Sequence, residues 1–226
     1  MGRAKVVQTQ IVYGKPQELT NIITHAIGAA FGFVGLIFLM LKTIRLGYAP
    51  LGVFSVLLYG TLATVTFALC AVHHGMRAGT KARTALGGID RSTTAILILG
   101  VYAPIMLIGM PRGGATDAAW GYSLFAVIAA AVVAATVLGS IDPSRFKAIV
   151  LVAYVVLGAA CVARIDRVWQ LCGDGCFWFL FGGAAVYAAG LIFYLARRLA
   201  FNHAAWHAIV LVGAALHFVG IYVYLL

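Results

Sequence analysis

The chain has 226 residues, 63% of them hydrophobic and only 10% charged, and its mean hydropathy is +1.02. A water-soluble globular domain cannot carry that much apolar surface, so the composition excludes one. The formal net charge of +10 falls in short clusters between long apolar runs. It therefore reads as a topology signal and as contacts to anionic lipid headgroups, and no nucleic-acid partner is expected.

Residues 1–18 are polar and basic, with no apolar stretch or small-residue cleavage site of a signal peptide. They read as a cytoplasmic arm on the membrane surface, followed by one membrane domain over residues 19–226. A helix needs about 20 residues to cross a hydrocarbon core. Apolar runs of that order fall at 20–42, 50–74, 89–110, 117–139, 147–164, 176–196 and 204–226. The expected fold is all-α, a seven-transmembrane-helix bundle. Seven crossings put the termini on opposite sides. Eleven of the sixteen basic residues lie on the N-terminal side (Arg3, Lys5, Lys15, Arg77, Lys81, Arg83, Arg91, Arg145, Lys147, Arg197 and Arg198). The positive-inside rule then makes the N-terminus cytoplasmic and the C-terminus extracytoplasmic.

Within that scheme the polar residues converge on the cytoplasmic leaflet. Span 1 opens with Glu18, Asn21 and His25, whose spacings of three and four put them on one helix face. They are expected to form a structural hydrogen-bond network. Span 2 ends in Cys70, His73 and His74. Span 3 opens at Asp90. Span 7 opens with His203 and His207, one turn apart on one face, an arrangement that can hold a metal ion from one side. Five of the six histidines thus gather near one leaflet, where ionisable groups are costly and by default functional.

A third ligand can come from His73 or His74 but hardly both, since adjacent positions differ by about 100° around a helix. Three histidines and a water make an open catalytic zinc site. Asp90 can hold a metal-bound water and accept its proton. Equally, it can cap its helix, with Gly87-Gly88 just before it. Cys70 can touch the metal or the water, or be a small buried residue. His217 lies roughly 15 Å beyond His207 along the helix and cannot share the ion, so a bond to another span is expected. Cys172-Gly-Asp-Gly-Cys176 in the outer loop suits a disulfide or free thiols. Gly183, Tyr187 and Gly190 suggest close helix packing, and Pro104 a kink.

Together these residues resemble a known family. The segments are Glu18-x-x-Asn21-x-x-Thr24-His25, Asp90 followed by Gly100-Val-Tyr102-Ala-Pro104, Gly183-x-x-x-Tyr187-x-x-Gly190-x-x-Phe193-Tyr194, and His203-Ala-Ala-Trp206-His207. They are similar to the hemolysin III proteins of bacteria. Those are relatives of the adiponectin and progestin receptors (PAQR) within the wider CREST group, which includes alkaline ceramidases. The resemblance covers nearly the whole chain. It implies seven spans in the bacterial inner membrane, with the N-terminus inside. It also implies a Zn2+ ion near the cytoplasmic face, held by one span 2 histidine and by His203 and His207, with its water held by Asp90. The family's Ser-x-x-x-His falls on Cys70-Ala-Val-His73-His74, with Cys in place of Ser. That register makes His74 the ligand and leaves Cys70 and His73 beside it. The ceramidase kinship implies hydrolysis of a lipid amide among the membrane lipids. A receptor or sensor with structural zinc, or a pore-forming hemolysin causing cytolysis, are the alternatives.

Overall fold

The computed structural model describes residues 5–7, 10–141, 145–196 and 198–226. Within the expected arm, Lys5–Val7 (β1) and Gln10–Val12 (β2) form an antiparallel hairpin with Lys5 opposite Val12. The rest of the described chain is helices and their connections. The main helices are α1 (Lys15–Arg45), α2 (Pro50–Gly75), α3 (Lys81–Pro104) and α4 (Ala115–Ile141). They are followed by α5 (Lys147–Gly158), α6 (Ile165–Cys172), α7 (Asp174–Leu195) and α8 (Asn202–Val219). Among the described residues, six segments are long and apolar enough to cross a membrane: α1, α2, Lys81–Gly113, α4, α7 and Asn202–Leu225. Their outer faces expose Ile27, Phe33, Phe38, Val127, Val133, Phe181 and Ile192. Such a belt has no place in water; the chain is an integral membrane protein.

α1 begins at Lys15, inside the expected arm. Pro16 sits in its first turn, where a missing N–H costs no hydrogen bond, and Glu18 faces the positive end of the helix dipole. Glycines let α1 and α2 approach closely. A Cβ on Gly28 would lie 2.7 Å from the Phe67 ring, and one on Gly60 would lie 2.7 Å from Leu36. The expected close packing of the last two spans is also present. A Cβ on Gly183 would meet the His217 ring at 2.4 Å.

α3 opens the central segment, Lys81–Gly113, and 83% of that segment's most apolar stretch is buried, more than in any of the other five. Its start corrects the expectation. The helix begins at Lys81 with Thr80 as its cap, whose Oγ1 accepts from Arg83 N at 3.3 Å. Asp90 therefore lies more than two turns inside the helix and caps nothing. The Gly87-Gly88 pair is a site of close approach. A Cβ on Gly88 would sit 1.7 Å from Ser140 Oγ of α4, and one on Gly87 would sit 3.1 Å from His73 Cε1. At its far end Pro104 is followed by a π-helical turn, Ile105–Gly109, then a 3-10 turn, Met110–Gly113.

The fifth expected span also differs. Here the chain forms the 12-residue α5 and then a 3-10 turn, Ala160–Arg164. Tyr102 of α3 explains the change of pitch: its hydroxyl accepts the N–H of Cys161 at 2.9 Å and lies 3.4 Å from Gly158 O. An inserted side chain of this kind breaks a helical ladder.

Two apolar clusters fill the interior. The larger one surrounds Met106, Met110, Ile128 and Ile221. The smaller comprises Phe67, Leu97, Tyr187, Trp206 and Val210 and adjoins the polar site described next.

Candidate metal centre

Four helices deliver the polar side chains to one place. α1 supplies Glu18, Asn21 and His25 from its first three turns, and α2 supplies Cys70, His73 and His74 from its last two. α3 supplies Asp90, and α8 supplies His203 and His207 from its first two turns. Just before α8, Phe201 takes a left-handed conformation (φ 59°), which turns the chain into the helix. Asn202 then donates from Nδ2 to Phe193 O of α7 at 3.3 Å.

The Asp90 carboxylate is the hub. Its Oδ1 lies 3.4 Å from His25 Nε2, 3.4 Å from His74 Nε2 and 3.8 Å from His207 Nε2. Its Oδ2 lies 3.3 Å from His203 Nε2. His74 Nε2 and His203 Nε2 are 3.1 Å apart. Nitrogens bound to one tetrahedral zinc stand about 3.3 Å apart, given bonds of 2.0–2.1 Å. Asp90, His25, His74 and His207 are all buried. Two sets have donor atoms that fall within 4.8 Å of one another: His25, Asp90, His203 and His207, and His73, His74 and Asp90.

The surrounding contacts fix the rings. Glu18 Oε2 stands 2.6 Å from His74 Nδ1. A carboxylate there accepts a hydrogen bond from Nδ1–H and so leaves the Nε2 lone pair facing the cluster. Glu18 Oε1 in turn accepts from Arg83 Nη2 at 2.5 Å and from Tyr13 N at 3.1 Å. Arg83, only 3% exposed, also donates from Nη1 to Met76 O at 2.6 Å. Asn21 Nδ2 lies 3.4 Å from His74 Nδ1. The Tyr13 ring stacks on His203 at 5.1 Å between centroids. His73 is held differently, with Nδ1 2.9 Å from Arg83 O. Cys70 Sγ lies 3.2 Å from Thr93 Oγ1 and also reaches Asp90.

Whether these residues suit a metal ion can be judged from what they leave unsatisfied. Asp90 Oδ1 and both ring nitrogens of His25 and of His207 are buried without a hydrogen-bond partner. Buried polar atoms are rarely left so, because each costs free energy. A cation accepts their lone pairs together. Imidazoles with one carboxylate form a donor set suited to zinc and related ions. The residues fit.

Most of this constellation is where the sequence pattern places it. His217 lies apart: its Nε2 donates to Leu180 O of α7 at 3.1 Å. Cys172 and Cys176 are both buried free thiols. Three participants are absent from the sequence reading. Arg83 counts there only as a loop cation, although a buried Glu18 needs a counter-charge. Tyr13 and Thr93 carry no sequence signal. His25 stands closer to the hub than its expected role in a separate network suggests, because α1 and α2 are drawn together at Gly28 and Phe67.

Comparison with known proteins identifies the family. The family profile described as "Haemolysin-III related" matches residues 13–218. Hemolysin-3 of Bacillus cereus is 30% identical over 211 residues, covering 93% of this chain and 92% of that protein. The Hemolysin-3 homolog of Bacillus subtilis (strain 168) is 27% identical over 202 residues, covering 89% and 91%. The match spans every element that carries the cluster, and the chain belongs to the haemolysin-III related family.

Proposed function

We propose that this protein is a zinc-dependent hydrolase of lipid amides in the bacterial inner membrane, crossing it seven times. Two observations support the seventh crossing. α4 ends beside the histidine cluster, where Arg91 Nη2 donates to Gly139 O at 3.0 Å. α7 begins at the opposite end, where a Cβ on Gly175 would meet the Tyr224 ring at 2.1 Å. The chain between them has to return through the bundle. It does so beside α3, with Tyr154 donating to Ser92 at one level and Cys161 N to Tyr102 at the other. α5 and its 3-10 turn together reach roughly 28 Å, close to a hydrocarbon thickness of about 30 Å. The basic residues favour a cytoplasmic N-terminus, which puts the cluster at the inner leaflet.

The observation that carries the chemical reading is the convergence of four histidine Nε2 atoms on one buried carboxylate. His74, His203 and His207 would hold the ion. When bound, zinc supplies a Lewis acid that polarises an amide carbonyl and makes a nearby water acidic. The protein's own groups do the rest. Asp90, held inside α3 with an Oδ1 that makes no hydrogen bond, would position that water and take its proton as general base. Glu18 fixes the ring of His74, and Arg83 neutralises Glu18. The wall of Phe67, Leu97, Trp206 and Val210 keeps the site apolar on its inner side, as an acyl chain requires. Cys70, in the place of the family's serine, lies beside Asp90 with Thr93.

The test is turnover of ceramides and other acyl-amide lipids by purified protein, compared zinc-loaded, zinc-stripped and as Asp90→Asn. Asn keeps the shape but loses the charge and basicity. Hydrolysis that is zinc-dependent and falls at least about a hundredfold in Asp90→Asn is expected for loss of a general base. Zinc-loaded protein that cleaves none of these lipids, in an assay where a ceramidase does, refutes the reading. The relatives' name, Hemolysin-3, favours one alternative, membrane lysis. Dye release from liposomes that is unchanged in His207→Ala would favour it over hydrolysis.

A further inference from the structure

We propose, resting on the metal-centre reading above, that Tyr13 is a positioning residue that roofs the centre on its water-facing side, so that an ion passes between water and the centre only when Tyr13 lifts. Tyr13 belongs to no helix. It follows β2 directly, and Gly14, extended at φ −65° and ψ 155°, leads from it into α1. Two contacts hold it across the mouth of the bundle. Its N–H donates to Glu18 Oε1 of α1 at 3.1 Å. Its ring stacks on His203 of α8, with 5.1 Å between centroids and 21° between planes. The His74 ring of α2 is 6.3 Å away.

The place of the stack decides what it does. His203 is the second residue of α8, one turn nearer the helix start than His207. Its side chain is 13% exposed, against 1% each for His74 and His207. Water therefore reaches the three rings first at His203, and Tyr13 covers that ring. The cover does not obstruct the donor atom. An imidazole nitrogen bonds in the plane of its ring, and the stack lies on the face. His203 Nε2 stays directed at Asp90 Oδ2, 3.3 Å away.

The roof is seated on the centre itself. Glu18 holds His74 Nδ1 with one oxygen and the Tyr13 N–H with the other. Tyr13 is thus tied both to a ring that would hold the ion and to the carboxylate that orients another. On the hydrolase reading this arrangement selects the route of the substrate. A water-soluble amide has to lift Tyr13, whereas an amide dissolved in the bilayer approaches without disturbing it.

The test is the rate of zinc exchange in the full-length protein in detergent. Release is followed by transfer from zinc-loaded protein to EDTA, and uptake by adding zinc to stripped protein. A roof slows entry and exit alike, whereas a residue that only steadies a ligand changes exit and affinity. Tyr13→Ala is therefore expected to speed both rates, by roughly tenfold for the loss of one ring contact, while their ratio, the Kd, holds. Tyr13→Phe keeps the ring and should keep the wild-type rates. Tyr13→Leu, which keeps bulk without a flat ring, should exchange faster than wild type and serves if the alanine variant fails to fold. Unchanged rates in Tyr13→Ala, faster release alone with a weakened Kd, or a phenylalanine variant as fast as alanine overturns the proposal and leaves the metal centre standing. Wild type that takes up no zinc refutes the metal-centre reading itself.

Discussion

Glu18 tests whether the centre is tuned through the ring of His74 or merely surrounded by helices. Glu18→Gln has two effects, separable on structural grounds. The first is on the His74 ring. The 2.6 Å contact to His74 Nδ1 loses its negative charge. Such partners of ligating histidines typically change metal affinity 10–100-fold, or about 1.4–2.7 kcal/mol. The second is on the fold. Arg83 is 3% exposed and loses its anionic partner. Breaking a buried pair by removing one member costs about 3–5 kcal/mol. Arg83 keeps its bond to Met76 O at 2.6 Å, which places the expected loss at the lower end, near 3 kcal/mol. Removing both charges, Glu18→Gln with Arg83→Met, eliminates the stranded guanidinium and should recover most of the thermal stability in detergent. It should not recover the metal affinity. Chelator competition and thermal unfolding of wild type, both single variants and the double variant close the cycle. Affinity that returns together with stability would show that Glu18 acts on the centre only by holding the helices.

Metal analysis should find one zinc per chain, lost on changing His74, His203 or His207 to Ala and retained in His73→Ala. The reverse result for His73 and His74 would move the span 2 ligand by one residue. Gly88→Val should destabilise the protein by about 1–3 kcal/mol, as overpacking does, because its Cβ would fall 1.7 Å from Ser140 Oγ. Restoration by Ser140→Gly, read in thermal unfolding, would confirm the α3–α4 contact as the cause, and its failure would refute it. A reporter fused after Leu226 should read as extracytoplasmic and one inserted at Gly79 as cytoplasmic. The opposite pattern would place the cluster at the outer leaflet.

The elements legible in the sequence are those governed by a single physical signal. Long apolar runs gave the helices, and the i, i+4 spacing of His203 and His207 gave their shared face. What was missed needed two signals weighed against each other. Gly87-Gly88 reads locally as a break, yet here it admits Ser140 and the His73 ring, and α3 runs through it. Arg83 reads as a loop cation because nothing in the sequence places it 2.5 Å from Glu18, 65 residues earlier. α5 ends early because of a tyrosine hydroxyl on another helix. His25 is a further case: four residues after Asn21 and seven after Glu18, it shares their face, but only the glycine-mediated approach of α1 to α2 brings it to Asp90.

The two ends of the bundle are held by different chemistry, and this has a consequence for the metal-free protein. At the far end the polar groups are satisfied. Asp117 pairs with Arg164 at 2.7 Å and with Arg167, while Arg112 donates to Leu225 O at 2.6 Å and Lys42 to Tyr222 O at 2.5 Å. At the site end Asp90 Oδ1 and both ring nitrogens of His25 and of His207 make no hydrogen bond. Without an ion, that end carries the cost of unsatisfied polar atoms, and local opening relieves it. A ligand present at a thousandfold its Kd stabilises the form that binds it by about 4.1 kcal/mol. Amides that open with the site should therefore exchange roughly a thousandfold faster once zinc is stripped. Hydrogen exchange should show the change in the first turns of α1 and α8 and the last turns of α2. The segments around Arg112, Asp117 and Arg164 should be unaffected. A uniform change along all the helices would mean that the ion braces the whole bundle. No change at the site end would mean that its donors are satisfied without a metal, and the centre would lose its physical basis.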